Sequence, residues 1–226
     1  MRKLLSIIIA FILISNNGHA QNTVKIGNQI WMNEDLKVMC FKNGNLISEA
    51  RDNIEWSEMC KMETPCYRRL SNGAFIYNGY ALADKRGLAP DGFRIATLKD
   101  FKLLFGFIGG LTNIKNTGKL TSYSFTAEDE APNGNLIDIK VAGKNIYGFN
   151  ARMGGFCYGV NNEGNADKGA CNFWWTSTEN FINDEETKQE VPNLWGVSIG
   201  SCSNDLGGET SYSLDYGFSI RCIKIK

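Results

Sequence analysis

Short apolar or aromatic runs alternate along the chain with clusters of Gly, Asn, Asp and Ser, the texture of many brief strands joined by long loops. The opening, Val24-Lys25-Ile26-Gly27-Asn28-Gln29-Ile30-Trp31-Met32, reads as a hairpin turning at Gly27-Asn28, a pair that tolerates the positive φ of a tight turn, with a strand in each arm. Thr97-Leu98-Lys99-Asp100 has the hydroxyl-x-x-acid form of a capping box. Phe101, Leu104, Phe105 and Ile108 follow at helical spacing and Gly109-Gly110 stops them, which predicts a helix with one face buried against a sheet. A shorter helix is expected from Ile54 to Met59, capped by Asp52 or Asn53.

From about residue 145 the pattern is strand-like throughout, over 145–151, 154–160, 173–177, 194–199 and 217–225. The last run places Phe218, Ile220 and Cys222 on one face, and its expected partner is the opening hairpin, which brings the termini together. The fold class these elements predict is α+β: one or two helices on a twisted, mainly antiparallel sheet with long loops, the N- and C-terminal strands paired.

The first twenty residues stand apart. Arg2 and Lys3 precede an apolar run from Leu4 to Ile14, and Gly18-His19-Ala20 offers a small-residue cleavage site, so residues 1–20 read as a bacterial secretory signal and 21–226 as one domain. The apolar run is too short to span a bilayer, no later segment is apolar enough to do so, and no cysteine stands where a lipoprotein is acylated. The expected destination is the periplasm, the cell surface or the medium.

Composition narrows the chemistry. Cleavage would take Arg2 and Lys3 away, leaving 22 basic residues against 24 acidic ones, a balance that argues against nucleic acid and anionic membranes as partners. The one histidine, His19, lies in the signal, so no catalytic triad or zinc site that needs an imidazole is available afterwards. The seven cysteines point to disulfides in an oxidising compartment. Short loops favour Cys60 with Cys66 and Cys157 with Cys171; Cys202 with Cys222 would tie two late segments and leave Cys40 over, though spacing alone leaves the connectivity open.

Ordered motifs run through the chain: Ile26-Gly27-Asn28-Gln29-Ile30-Trp31-Met32-Asn33-Glu34-Asp35-Leu36, Tyr77-Asn78-Gly79-Tyr80-Ala81-Leu82, Ala89-Pro90-Asp91-Gly92-Phe93-Arg94-Ile95-Ala96-Thr97, Gly148-Phe149-Asn150-Ala151 with Gly154-Gly155, Trp174-Trp175-Thr176-Ser177-Thr178-Glu179, and Gly217-Phe218-Ser219-Ile220-Arg221-Cys222-Ile223. In combination they resemble the Fibrobacter succinogenes major paralogous domain family. Gly79 and Phe93 stand where its pattern has tryptophans, and Ala96 where it has a proline. The resemblance implies a C-type-lectin-like fold, shared with formylglycine-generating enzymes, and an extracytoplasmic role in adhesion or ligand binding, with no reaction attached to the motifs.

Phe173-Trp174-Trp175 could stack on a sugar ring, but neighbours in a strand face opposite ways, and core roles for both tryptophans are the stronger reading. Glu130-Ala131-Pro132-Asn133 is a loose relative of the lectin calcium loop, with Ser203-Asn204-Asp205 as a further oxygen source; calcium is the candidate cofactor, against the simpler reading of a solvated turn. No spacing nominates a catalytic carboxylate pair or a metal centre. The sequence therefore favours a binding or adhesion module for glycan or protein ligands over an enzyme. Its ligand surface is expected on loops at 110–145 and 158–215, with Tyr158, Asn161, Asn162, Trp195 and Tyr212 as contact residues. Two alternatives are a structural subunit of a surface appendage or envelope assembly and a cysteine-dependent oxidase using Cys157 and Cys171.

Overall fold

The computed structural model describes residues 22–110, 114–130, 135–152, 154–157, 171–183, 189–200 and 209–225. The chain is mostly β. The opening hairpin, β1 (Thr23–Ile26) and β2 (Gln29–Met32), turns at Gly27 with φ +57° as expected. Then come β3 (Ser48–Glu49), α1 (Asn53–Lys61), β4 (Cys66–Arg69), β5 (Phe75–Asn78), α2 (Gly79–Ala83), β6 (Phe93–Ile95), α3 (Leu98–Phe107) and a 3-10 helix at Ile114–Lys119. The second half holds β7 (Phe125–Glu130), β8 (Leu136–Val141), β9 (Cys171–Asn183), β10 (Glu190–Gly200), β11 (Glu209–Ser213), β12 (Gly217–Ile220) and β13 (Cys222–Lys224).

Both expected helices form with the expected caps. Thr97 accepts from the Asp100 N–H while the Asp100 carboxylate accepts from the Thr97 N–H, a complete capping box. Asp52 caps α1 through the Glu55 N–H. The short α2, which begins where Asn78 accepts from the Ala81 N–H, is a third helix that apolar periodicity does not reveal in five residues.

Three sheets result: four strands in the order β1-β2-β13-β6, seven in the order β11-β10-β9-β12-β5-β4-β3, and the β7-β8 hairpin. Pairing is antiparallel except for β12 with β9 and β3 with β4. The termini meet as expected, Ile223 opposite Trp31. The run 217–225, expected as one strand, is two: it breaks at Arg221, so β12 serves the seven-stranded sheet and β13 the four-stranded one. Phe218, Ile220 and Cys222 nonetheless share one core cluster.

Residues 145–151 and the described part of 154–160 are not strands either. Asn145 and Asn150 adopt φ +42° and +56°, left-handed conformations that asparagine tolerates and that interrupt extended backbone, and only single bridges form at Ala151, Gly155 and Cys157. The regions expected as ligand-bearing loops are more ordered than their composition suggests: 110–145 holds the 3-10 helix and the β7-β8 hairpin, and 158–215 holds β9, β10 and β11.

The four-stranded sheet has a core on each face. Trp31 and Ile223 join Phe101, Leu104, Phe105 and Phe149 under α3, whereas Met32 and Cys222 join Phe218, Ile220 and Tyr77 on the other side. Trp174 and Trp175, adjacent in β9, alternate into these two cores, and neither is exposed at all. The Trp175 indole donates to the Tyr77 carbonyl at 2.8 Å, and the Trp174 indole to Asp35 Oδ1 at 2.7 Å. The tryptophan pair is core.

Candidate functional site

Of the residues expected to touch a ligand, Tyr158, Asn161 and Asn162 lie outside the described residues, as do the calcium candidates 131–133 and 203–205. Trp195 and Tyr212 are described but diverge. Tyr212 sits opposite Leu194 and Trp195 opposite Ser211, so the two rings project from opposite faces of the β10-β11 pair. Tyr212 packs edge-on against Phe218, 4.7 Å between ring centres, and closes the core; Trp195 stays half-exposed.

Cys60, Cys66 and Cys222 are buried free thiols, Cys40 is an exposed one, and Cys157 is buried. Cys60 and Cys66 do come together: the thiol of one hydrogen-bonds the other in a core cluster that also holds Cys157 and Trp56. That contact and burial push the Cys66 thiol far above its ordinary pKa. The Cys171 side chain and Cys202 lie outside the described residues.

The motif residues are mostly spent on the fold. Gln29 accepts from the Trp31 indole and donates to the Asp100 backbone carbonyl, tying β2 to α3. Asp35 holds Arg221 and Trp174. In β9, Thr176–Thr178 stand against Trp195 alone, a bulge that lets the Ser177 N–H reach the Ala96 carbonyl and the Thr178 hydroxyl accept from the Leu98 N–H at the start of α3.

Two concavities lie among the described residues. Beside Asp35 a polar cup is lined by Glu34, Lys37, Asn72, Asn150 and Arg152, with Gly154 in its wall; its enclosed volume, about 40 Å³, suits a water or an ion. Behind Gly154 lies Asn172, fully buried, whose side-chain amide has no hydrogen-bond partner among the described residues.

The second is a cleft of about 500 Å³ where the start of α3 meets β2, β6 and β13, within the size range of small-ligand sites. Its apolar lining is Ile30, Leu103 and Ile225, 36%, 56% and 54% exposed, with buried Ile223 behind them. Arg94, Lys99 and Lys224 add positive charge, and Asn28 and Thr97 neutral polar groups. Among the described residues Asp100 is its one carboxylate, and it is already engaged: Arg94 grips both its oxygens, at 2.5 and 2.9 Å, and Gln29 and Thr97 donate to it as well. Burial alone would raise the Asp100 pKa, but the hydrogen bonds from Arg94 and Thr97 outweigh it and hold the carboxyl below the usual carboxylate range. The same contact raises the Arg94 guanidinium. Nothing in the sequence says that Ile30, Lys99, Leu103 and Lys224 meet there, because only β13 folding back between β2 and β6 assembles them.

Comparison with known proteins gives one match. The family model described as Fibrobacter succinogenes major domain covers residues 24–224. No curated protein and no solved structure matches the chain.

Proposed function

The chain belongs to the Fibrobacter succinogenes major domain family, and from that premise we propose that it is an exported, non-enzymatic binding module whose ligand enters the cleft between α3 and the terminal strands. The observation that carries the reading is the cleft itself: three exposed aliphatic side chains gathered in one concavity and ringed by cations. We further propose the C-type-lectin-like arrangement for this fold. The terminal strands paired in one sheet, the helix packed upon it and the irregular connections around residues 145–157 support it. The signal-like residues 1–20 support export.

The test is a screen of the purified protein against a glycan array and an extracellular protein library, with calcium and with chelator, repeated on Leu103→Asp. Saturable binding that the substitution abolishes is the expected result. Binding indifferent to Leu103 would move the ligand surface elsewhere, and silence in both screens would favour a structural subunit. No helix among the described residues is long and apolar enough to cross a membrane.

A further inference from the structure

The charge around the cleft is unlike that of the chain. Lysine and arginine together equal aspartate and glutamate over the whole sequence, 24 each. At the cleft, Arg94, Lys99 and Lys224 face a single carboxylate among the described residues, Asp100, and a fourth cation, Lys25, stands cross-strand from Ile30. Asp100 is consumed by Arg94, and Lys25, Lys99 and Lys224 form no ion pair among the described residues. All three are exposed.

Uncompensated cations beside apolar surface specify a ligand by complementarity. The acidic groups of the ligand find unpaired ammoniums, and its aliphatic groups cover Ile30, Leu103 and Ile225. Among the described residues the lining contains no aromatic ring, the surface on which a sugar face would stack, whereas aliphatic side chains of a peptide pack on aliphatic walls as they do in a core.

We propose that this cleft binds an acidic peptide segment carrying aliphatic side chains, the segment being an exposed part of a partner protein. The proposal rests on the binding-module reading and names its ligand class. Charge attracts and orients the segment, and the apolar contact holds it, so affinity depends on both and falls with salt.

The experiment measures anisotropy of a fluorescent peptide alternating glutamate and leucine, titrated with the purified protein at low salt and at about 0.5 M salt. Controls are a lysine–leucine peptide, an all-glutamate peptide and heparin. The glutamate–leucine peptide is expected to bind saturably and best, with Lys99→Glu and Lys224→Glu each weakening it at least about fivefold. Leu103→Ser is expected to weaken it as well, and Lys144→Glu, outside the cleft lining, to leave it unchanged. Tryptophan near-ultraviolet dichroism checks that each variant is folded. Equal binding by the lysine variants, or preference for heparin or for the lysine–leucine peptide, overturns the acidic-peptide assignment and leaves the binding-module reading standing if Leu103→Asp still abolishes a ligand from the screens. Cleft substitutions that affect no ligand at all overturn both.

Discussion

Arg221 and Asp35 lie 186 residues apart in the chain and meet in an ion pair, Nε to Oδ1 at 2.7 Å, with the arginine side chain wholly excluded from water. The guanidinium also donates to the Met32 and Phe149 carbonyls and lies over the Phe149 ring, 4.3 Å from its centre. Asp35 in turn accepts from the Trp174 indole. One arginine thus fixes the segment after β2, the loop at residue 149 and the point where the chain leaves one sheet for the other.

Because removing one partner strands the other charge in a dry site, Arg221→Leu and Asp35→Asn should each destabilise the protein by about 3–5 kcal/mol. Urea unfolding followed by tryptophan fluorescence measures this. A loss below about 1 kcal/mol in both variants would mean that the pair is not what holds the crossing.

The Arg94–Asp100 pair predicts a pH dependence. The folded-state pKa of Asp100 is depressed, so its contribution is present above the unfolded carboxylate value of about 3.9 and disappears as pH falls through the lower folded value. Asp100→Asn should therefore flatten the acid limb of the stability curve below about pH 4 and lower stability at neutral pH, where the capping box also loses its charge. An unchanged acid limb would assign that limb to other carboxylates.

The places where periodicity succeeded are those where local chemistry suffices: the Gly27 turn, the Thr97 capping box, the Asp52 cap. It failed where a residue answers to a distant neighbour. Arg221 ends a strand that its own sequence would continue, since its side chain is needed between Asp35 and Phe149. The departures from the family pattern became legible only with packing. The Ala96 N–H donates to the Arg221 carbonyl, which a proline could not do. A Cβ at Gly79 would stand 2.6 Å from the Leu214 Cα, so the place of the family's tryptophan is taken by backbone. The candidate cleft was hidden for the same reason, being assembled from three stretches far apart in the chain.

These two departures are testable together. Ala96→Pro removes a buried hydrogen bond beside the helix start and should cost about 3 kcal/mol. Gly79→Ala forces the α2 start away from Leu214 and should cost about 1–3 kcal/mol. Thermal unfolding of both variants decides the matter; a protein that accepts either at full stability would show that these contacts yield easily.

The thiols give the sharpest division between surface and core. Cys40 is exposed, whereas Cys60 is 2% exposed and Cys66, Cys157 and Cys222 are not exposed at all. Burial pushes the Cys222 thiol up to about 12, and the Cys60 contact together with burial raises Cys66 further, so neither offers the thiolate that an alkylating agent needs. In the native protein a maleimide should therefore label Cys40 among these five and spare the rest, as peptide mapping would show. Unfolding in denaturant without reductant then separates two states of the buried set. If the neighbouring Cys60 and Cys66 oxidise on export, they stay unlabelled until reductant is added, while Cys222 reacts at once. Prompt native labelling of Cys66 or Cys157 would contradict the packing around Trp56. Full labelling of Cys60 and Cys66 in denaturant alone, on protein recovered from the oxidising compartment, would show that their contact is a hydrogen bond between two permanent thiols and not the precursor of a bridge.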